Sequence, residues 1–219
     1  MPLEPVRQRL EPIIEAGVGA TLYTRLMQVV YETESPHATR SELGPYREAD
    51  YLELPERPRC ELLYGRLPVT PAPTVRHQLV VFAVARLLHE FASHHGGYMV
   101  VSPVDVVLAE HSIVQPDVIY VSPARAGILG ERVEGAPDLV VEILSPATAR
   151  RDLGEKLRLY AESDVSEYWI VDPHPETFEF LEKTPAGFRV RLPEGALYRS
   201  SAIAGLEIDL EAFWRAIPS

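Results

Sequence analysis

Two apolar runs, each interrupted by a single carboxylate, constrain this chain more than any other feature. The first is Val-Gln-Pro-Asp-Val-Ile-Tyr-Val, from Val114 to Val121, and the second is Leu-Val-Val-Glu-Ile-Leu-Ser-Pro, from Leu139 to Pro146. Both have the length of a buried strand and the β-branched residues that suit a pleated surface. An ionised carboxylate on such a strand is costly unless a cation, a basic side chain or water meets it. Asp117 and Glu142 lie 25 residues apart, on strands that can sit side by side, so one Mg²⁺ or Mn²⁺ would satisfy both. A metal site is therefore the first hypothesis.

The bulk properties fit a folded chain with that site. With 219 residues, 46% of them hydrophobic and 24% charged, one globular domain with elaborations is expected. Cys60 is the single cysteine, which excludes an intramolecular disulfide and fits a reducing, cytoplasmic setting. No secretory leader is expected from the opening residues, and the apolar run Leu79 to Ala85 falls far short of the roughly 20 residues of a membrane span. A net charge of −11 argues against coating nucleic acid by general electrostatics. A local acidic site that a bound metal makes electropositive escapes that objection.

Along the chain, residues 1 to about 32 show apolar spacings near three and four, which predict two short helices broken around Gly17 to Gly19, a hairpin for packing or dimerisation. Thr33 to Pro58 reads as linker or surface loop, so residues 1–46 form an N-terminal helical extension and 47–219 the main domain. Cys60 to Leu67 predicts a strand turning at Gly65, with Glu61 as a third acid among apolar neighbours. Val75 to His95 is the strongest helix, closed by Gly96 and Gly97. Its wheel sets Arg76, Gln78, Arg86, His89 and Glu90 toward solvent. His77 falls on the inward line of Val84, Leu88 and Phe91, as a core or capping residue or as a phosphate contact.

Strands are expected at Tyr98–Val101, Asp105–Leu108, Val114–Val121 and Leu139–Leu144. A helix follows from the Ser145–Thr148 segment to about Glu162, its apolar stripe being Leu153, Leu157 and Ala161. Asp152, Lys156 and Tyr160 share a neighbouring line at i, i+4 and i+8, which on helical geometry alone is a common surface pair worth about 0.2–0.5 kcal/mol. Glu167–Asp172, a hairpin of Thr177–Glu182 with Phe188–Leu192, and Leu206–Leu210 supply further strands. The fold class is α/β with a mixed, twisted central sheet.

Competing chemistries lack their motifs. There is no Gly-rich phosphate loop, no dinucleotide fingerprint and no Gly-x-Ser-x-Gly elbow. His94 and His95 are adjacent rather than helically paired, and a lone cysteine with no His-x-x-x-His or Cys-x-x-Cys pattern disfavours a zinc site. Oxygen ligands remain, the set a hard divalent cation prefers.

Gln115–Val118, Ala136–Pro146, Asp152 with Lys156 and Tyr160, and Glu167–Asp172 together resemble the Uma-type restriction endonucleases of the PD-(D/E)XK superfamily. The resemblance spans about residues 47–214. It implies a restriction-endonuclease-like mixed central sheet flanked by helices and a Mg²⁺- or Mn²⁺-dependent nuclease activity on nucleic acid, DNA rather than RNA. Asp117 and Glu142 would be the metal ligands, with the backbone carbonyl of Ile143 beside them. Where much of the superfamily carries a lysine two positions after the second acid, this chain has Leu144, and Lys156 matches the family's substitute from the next helix. Glu61 and His77 match the family's acid and helix-start histidine as further catalytic residues. Tyr64 and Arg66 stand where relatives often carry acids, which weakens a second metal site there. A homodimer would set two active sites on one duplex. The alternatives are a catalytically inactive module of the same fold that binds or interacts without cutting, and a scaffold whose two acids merely pair with Arg or Lys.

Overall fold

The structure is a computed structural model describing residues 43–55, 58–146 and 148–218. The helical hairpin expected before residue 43 lies outside the described residues. A short helix α1 (Glu48–Leu52) precedes the long α2 (Val75–His95). Helix α2 begins where the Thr74 hydroxyl accepts the His77 N–H at 3.2 Å. It ends at Gly96, whose φ of +82° is the left-handed conformation glycine tolerates. Among the described residues no helix is long and apolar enough to cross a membrane.

A six-stranded sheet in the order β1-β4-β6-β7-β8-β9 forms the centre. Its strands are β1 (Tyr98–Val101), β4 (Val118–Val121), β6 (Leu139–Ile143), β7 (Glu167–Asp172), β8 (Thr177–Thr184) and β9 (Gly187–Arg191). β6 and β7 run parallel and the other neighbours antiparallel, so the sheet is mixed, as the sequence implied. The parallel pair requires a crossover, and helices α3 (Ala149–Asp152) and α4 (Glu155–Glu162) provide it. Val80, Val84 and Leu88 of α2 fill one face of the sheet together with Val118, Val141 and Trp169. Leu157, Leu159 and Tyr160 of α4 fill the other with Ile119, Val140, Tyr168 and Ile170. Each such fully buried aliphatic side chain contributes about 1.5–3 kcal/mol. β10 (Leu197–Arg199), β11 (Glu207–Asp209) and α5 (Leu210–Arg215) close the α2 side.

Three local expectations change. Val114–Val121 is not one strand. Val114 ends β3 (Ser112–Val114), which joins β2 (Val106–Ala109) and β5 (Val133–Glu134) in a separate sheet, while β4 starts at Val118. Pro116 has no N–H to give a ladder, and the chain changes sheets across Gln115–Asp117. The helix expected to run on to Glu162 is two helices, broken at Leu153–Gly154. Cys60–Leu67 forms isolated bridges rather than full strands, with the turn at Tyr64 (φ 49°) and Gly65 (φ 73°).

Gly65 also meets the Gly44 backbone where a Cβ would stand. Gly65→Ala should therefore lower unfolding free energy by roughly 1–2 kcal/mol from the left-handed backbone alone, and by more once the contact is included. Urea denaturation measures it, and an unchanged midpoint would show that the turn relaxes freely.

Candidate metal and nuclease centre

The antiparallel register pairs Val118 with Val141, so Asp117 and Glu142, one residue further, come opposite each other at the edge of the α3/α4 face. Asp117 Oδ2 accepts the Ile143 N–H at 2.8 Å, which ties the loop before β4 to the end of β6. His77 approaches from α2, its Nε2 at 3.3 Å from the same oxygen. Glu142 is buried, and its Oε1 accepts from Lys156 Nζ and from Tyr160 O–H, each at 2.8 Å. The opposite side of the ammonium meets Glu61 Oε1 at 2.9 Å, and Asp152 Oδ1 stands at 3.8 Å. Glu61 Oε1 further accepts the Gln115 N–H at 2.7 Å, and its Oε2 faces Arg151 at 3.4 Å. Glu61, His77, Asp117, Glu142 and Lys156 thus all line one cleft of about 170 Å³, with Gln115, Arg151 and Asp152.

The break at Gly154 explains the geometry of the helical line. Asp152 closes α3 and Lys156 lies in the first turn of α4, and both are buried. They are not the solvent-exposed pair that helical spacing alone suggests. Lys183 donates to the Ala161 and Ser163 carbonyls at the far end of α4, and Tyr168 O–H donates to the Asp152 carbonyl at 3.0 Å. The crossover carrying the lysine is anchored at both ends.

Burial drives the titration of the site. It pushes the Glu142 carboxyl well above the usual carboxylate range; Lys156 opposes this, while Asp152, Asp117 and Glu61 reinforce it. Asp152 is pushed up to about 6 by the same burial, against the pull of Lys156 and a Thr148 hydrogen bond. For Lys156 burial works against the charge, but Glu142, Glu61 and Asp152 outweigh it and hold the ammonium protonated. His77 is raised because the Asp117 hydrogen bond and charge, with the Ile143 main chain, exceed the effect of its burial.

Among the described residues no three His, Cys, Asp or Glu side chains are grouped as a ready metal site. The donors nevertheless suit a hard cation. Asp117 Oδ1 and Glu142 Oε2 accept no hydrogen bond from any described residue, since the contacts above fall on the other oxygen of each. Asp117, Glu142 and the Ile143 carbonyl are the oxygen donors that could hold a divalent ion.

Sequence reasoning gave Asp152 and Tyr160 no part in the site, although their i, i+4, i+8 line through Lys156 was the signal. Gln115 and Arg151 gave no such signal, because they reach the cleft only through the change of sheets and the short helix α3.

A mixed sheet with helices on both faces is the restriction-endonuclease-like architecture. The Uma2 family model, described as "Putative restriction endonuclease", matches residues 48–211, and the chain belongs to that family. Among solved structures it is similar to "a putative nuclease belonging to DUF820" from Anabaena variabilis ATCC 29413. The TM-score is 0.67 at 17% identity, over 78% of this chain and 98% of that one, a likeness of fold. No curated protein matches the sequence.

Proposed function

We propose that this protein is a divalent-metal-dependent endonuclease that hydrolyses phosphodiester bonds in nucleic acid, DNA in preference to RNA, with Mg²⁺ or Mn²⁺ as cofactor. The observation that carries the reading is the buried Lys156 ammonium, 2.8 Å from Glu142 and 2.9 Å from Glu61, beside Asp117 from the neighbouring strand. Leu144, at the usual lysine position, is buried in the apolar cluster. Lys156 supplies its charge from α4, which answers the main argument for an inactive module.

Asp117, Glu142 and the Ile143 carbonyl would hold the cation. Once bound, it supplies Lewis-acid charge to the phosphate and lowers the pKa of water. Lys156 then offers a fixed positive charge to the oxyanion that develops on phosphorus, in a cleft where low solvent content strengthens it. His77, at the first turn of α2, orients a phosphate oxygen from the opposite face. Glu61 holds the lysine on its second side. The single cysteine supports a cytoplasmic setting, and cutting both strands of a duplex favours a homodimer.

Supercoiled plasmid incubated with the purified protein should be nicked or linearised on addition of Mg²⁺ or Mn²⁺ and left intact when a chelator is present. Calorimetry should detect binding of the same ion. Protein that binds neither metal and leaves DNA and RNA intact would remove the proposal.

A further inference from the structure

Tyr160 has no task in the proposed hydrolysis, yet its hydroxyl reaches one of the two acids assigned to the metal. It lies within α4 and is fully buried, one helical turn after Lys156, so the two side chains leave the helix on the same side. Both end on one oxygen. Glu142 Oε1 accepts from Lys156 Nζ and from Tyr160 O–H, each at 2.8 Å. The Tyr160 ring is held edge-on by Tyr168, with the ring centres 4.9 Å apart and the planes inclined at 62°.

A carboxylate oxygen offers two lone pairs, and on Oε1 two donors engage them. Glu142 keeps Oε2, which accepts from no described residue. Asp117 repeats the pattern: Oδ2 meets the Ile143 N–H at 2.8 Å and His77 Nε2 at 3.3 Å, and Oδ1 is left over. Each acid thus has one oxygen to give. That count bears on the choice of ion, because Ca²⁺ takes up to about eight oxygens and often grips a carboxylate through both. Mg²⁺ keeps to an octahedron completed by water, and Mn²⁺ suits the same octahedron of oxygens.

We propose that Tyr160 is a positioning residue that sets metal selectivity: with Lys156 it occupies Glu142 Oε1, limits Glu142 to one ligating oxygen, and so favours Mg²⁺ and Mn²⁺ over Ca²⁺. The role rests on the endonuclease reading, in which Glu142 is a ligand. Lys156 by itself leaves one lone pair of Oε1 open, and its ammonium is shared with Glu61 at 2.9 Å. The tyrosine hydroxyl closes that opening without adding charge.

The electron paramagnetic resonance signal of free Mn²⁺ tests this on full-length protein without nucleic acid, with Mg²⁺ and Ca²⁺ as competitors. The unaltered protein should release Mn²⁺ to Mg²⁺ at lower concentrations than to Ca²⁺. Tyr160→Phe keeps the buried ring and frees one lone pair of Oε1, so Ca²⁺ should gain about tenfold on Mg²⁺ as a competitor. Tyr168→Phe removes a neighbouring buried hydroxyl, bonded to the Asp152 carbonyl, and should leave that ratio unchanged. The pair separates selection of the ion from a general loosening around α4. An unchanged ratio in folded Tyr160→Phe, an equal shift in Tyr168→Phe, or a Ca²⁺ preference in the unaltered protein overturns the assignment. Should Tyr160→Phe misfold, the preference of the unaltered protein decides. Failure to bind Mn²⁺ at all would remove the metal centre and the endonuclease reading together, whereas Mn²⁺ bound with the ratio unmoved by Tyr160→Phe would remove only the role of Tyr160.

Discussion

Asp117→Ala will lose both metal binding and plasmid cleavage, whereas Lys156→Met will keep the metal and lose about 10²–10³ of the rate. The two variants separate because the side chains do different work. Asp117 has an oxygen that no described residue engages, so on the proposed mechanism its removal deletes a ligand. On the proposed mechanism Lys156 contributes charge toward the reacting phosphate. Their stabilities should diverge as well. Asp117→Ala leaves the Ile143 N–H without its acceptor at a partly exposed position, worth about 1 kcal/mol. Lys156→Met strands Glu61, Glu142 and Asp152 around a missing cation, and breaking a buried pair this way costs about 3–5 kcal/mol. Cleavage rates, metal titrations and urea midpoints on the same preparations make the comparison. Undiminished cleavage by Asp117→Ala, in protein freed of host nuclease, would dismantle the proposed site.

Glu167→Ala should produce one of the largest stability losses in the chain, with no direct part in the chemistry. Glu167 is fully buried at the start of β7, away from the cleft. Its carboxylate accepts from Trp169 Nε1 at 2.7 Å and from the Tyr198 and Ser200 hydroxyls, which fastens the β10–β11 segment to the central sheet. Truncation leaves three donors without an acceptor, at about 1–3 kcal/mol for each one buried. A total loss of about 3 kcal/mol or more is expected in urea denaturation, with metal affinity per folded molecule unchanged. A loss below about 1 kcal/mol would mean that water replaces the carboxylate.

The sequence made the elements legible where local physics decides them. The 3.6-residue period and the Gly96 terminator define α2, and its range matches Val75–His95. Apolar length and β-branching likewise define β6 and β7. Prediction failed where the signal was a break. Pro116 read as an irregular strand start rather than a change of sheets, and Gly154 lay unnoticed inside a helical pattern. The second failure kept Asp152 out of the candidate site. On an unbroken helix the Asp152–Lys156 spacing describes a solvent-facing pair; on two helices folded against β6 and β7 the same residues are buried with Glu142.

By itself, then, the sequence determined which side chains could not be left alone: single carboxylates on apolar strands and a histidine on a helix's inward face, each an energetic liability that demands a partner. Only the tertiary structure decided who the partners are. The antiparallel register of β4 and β6 brings Asp117 opposite Glu142, and the right of Lys156 to be charged and buried comes from three carboxylates converging on it from separate segments. Helical and strand periods encode which way a residue faces, whereas contacts across tens of residues depend on the pairing of strands and the direction of a crossover, which no local pattern carries.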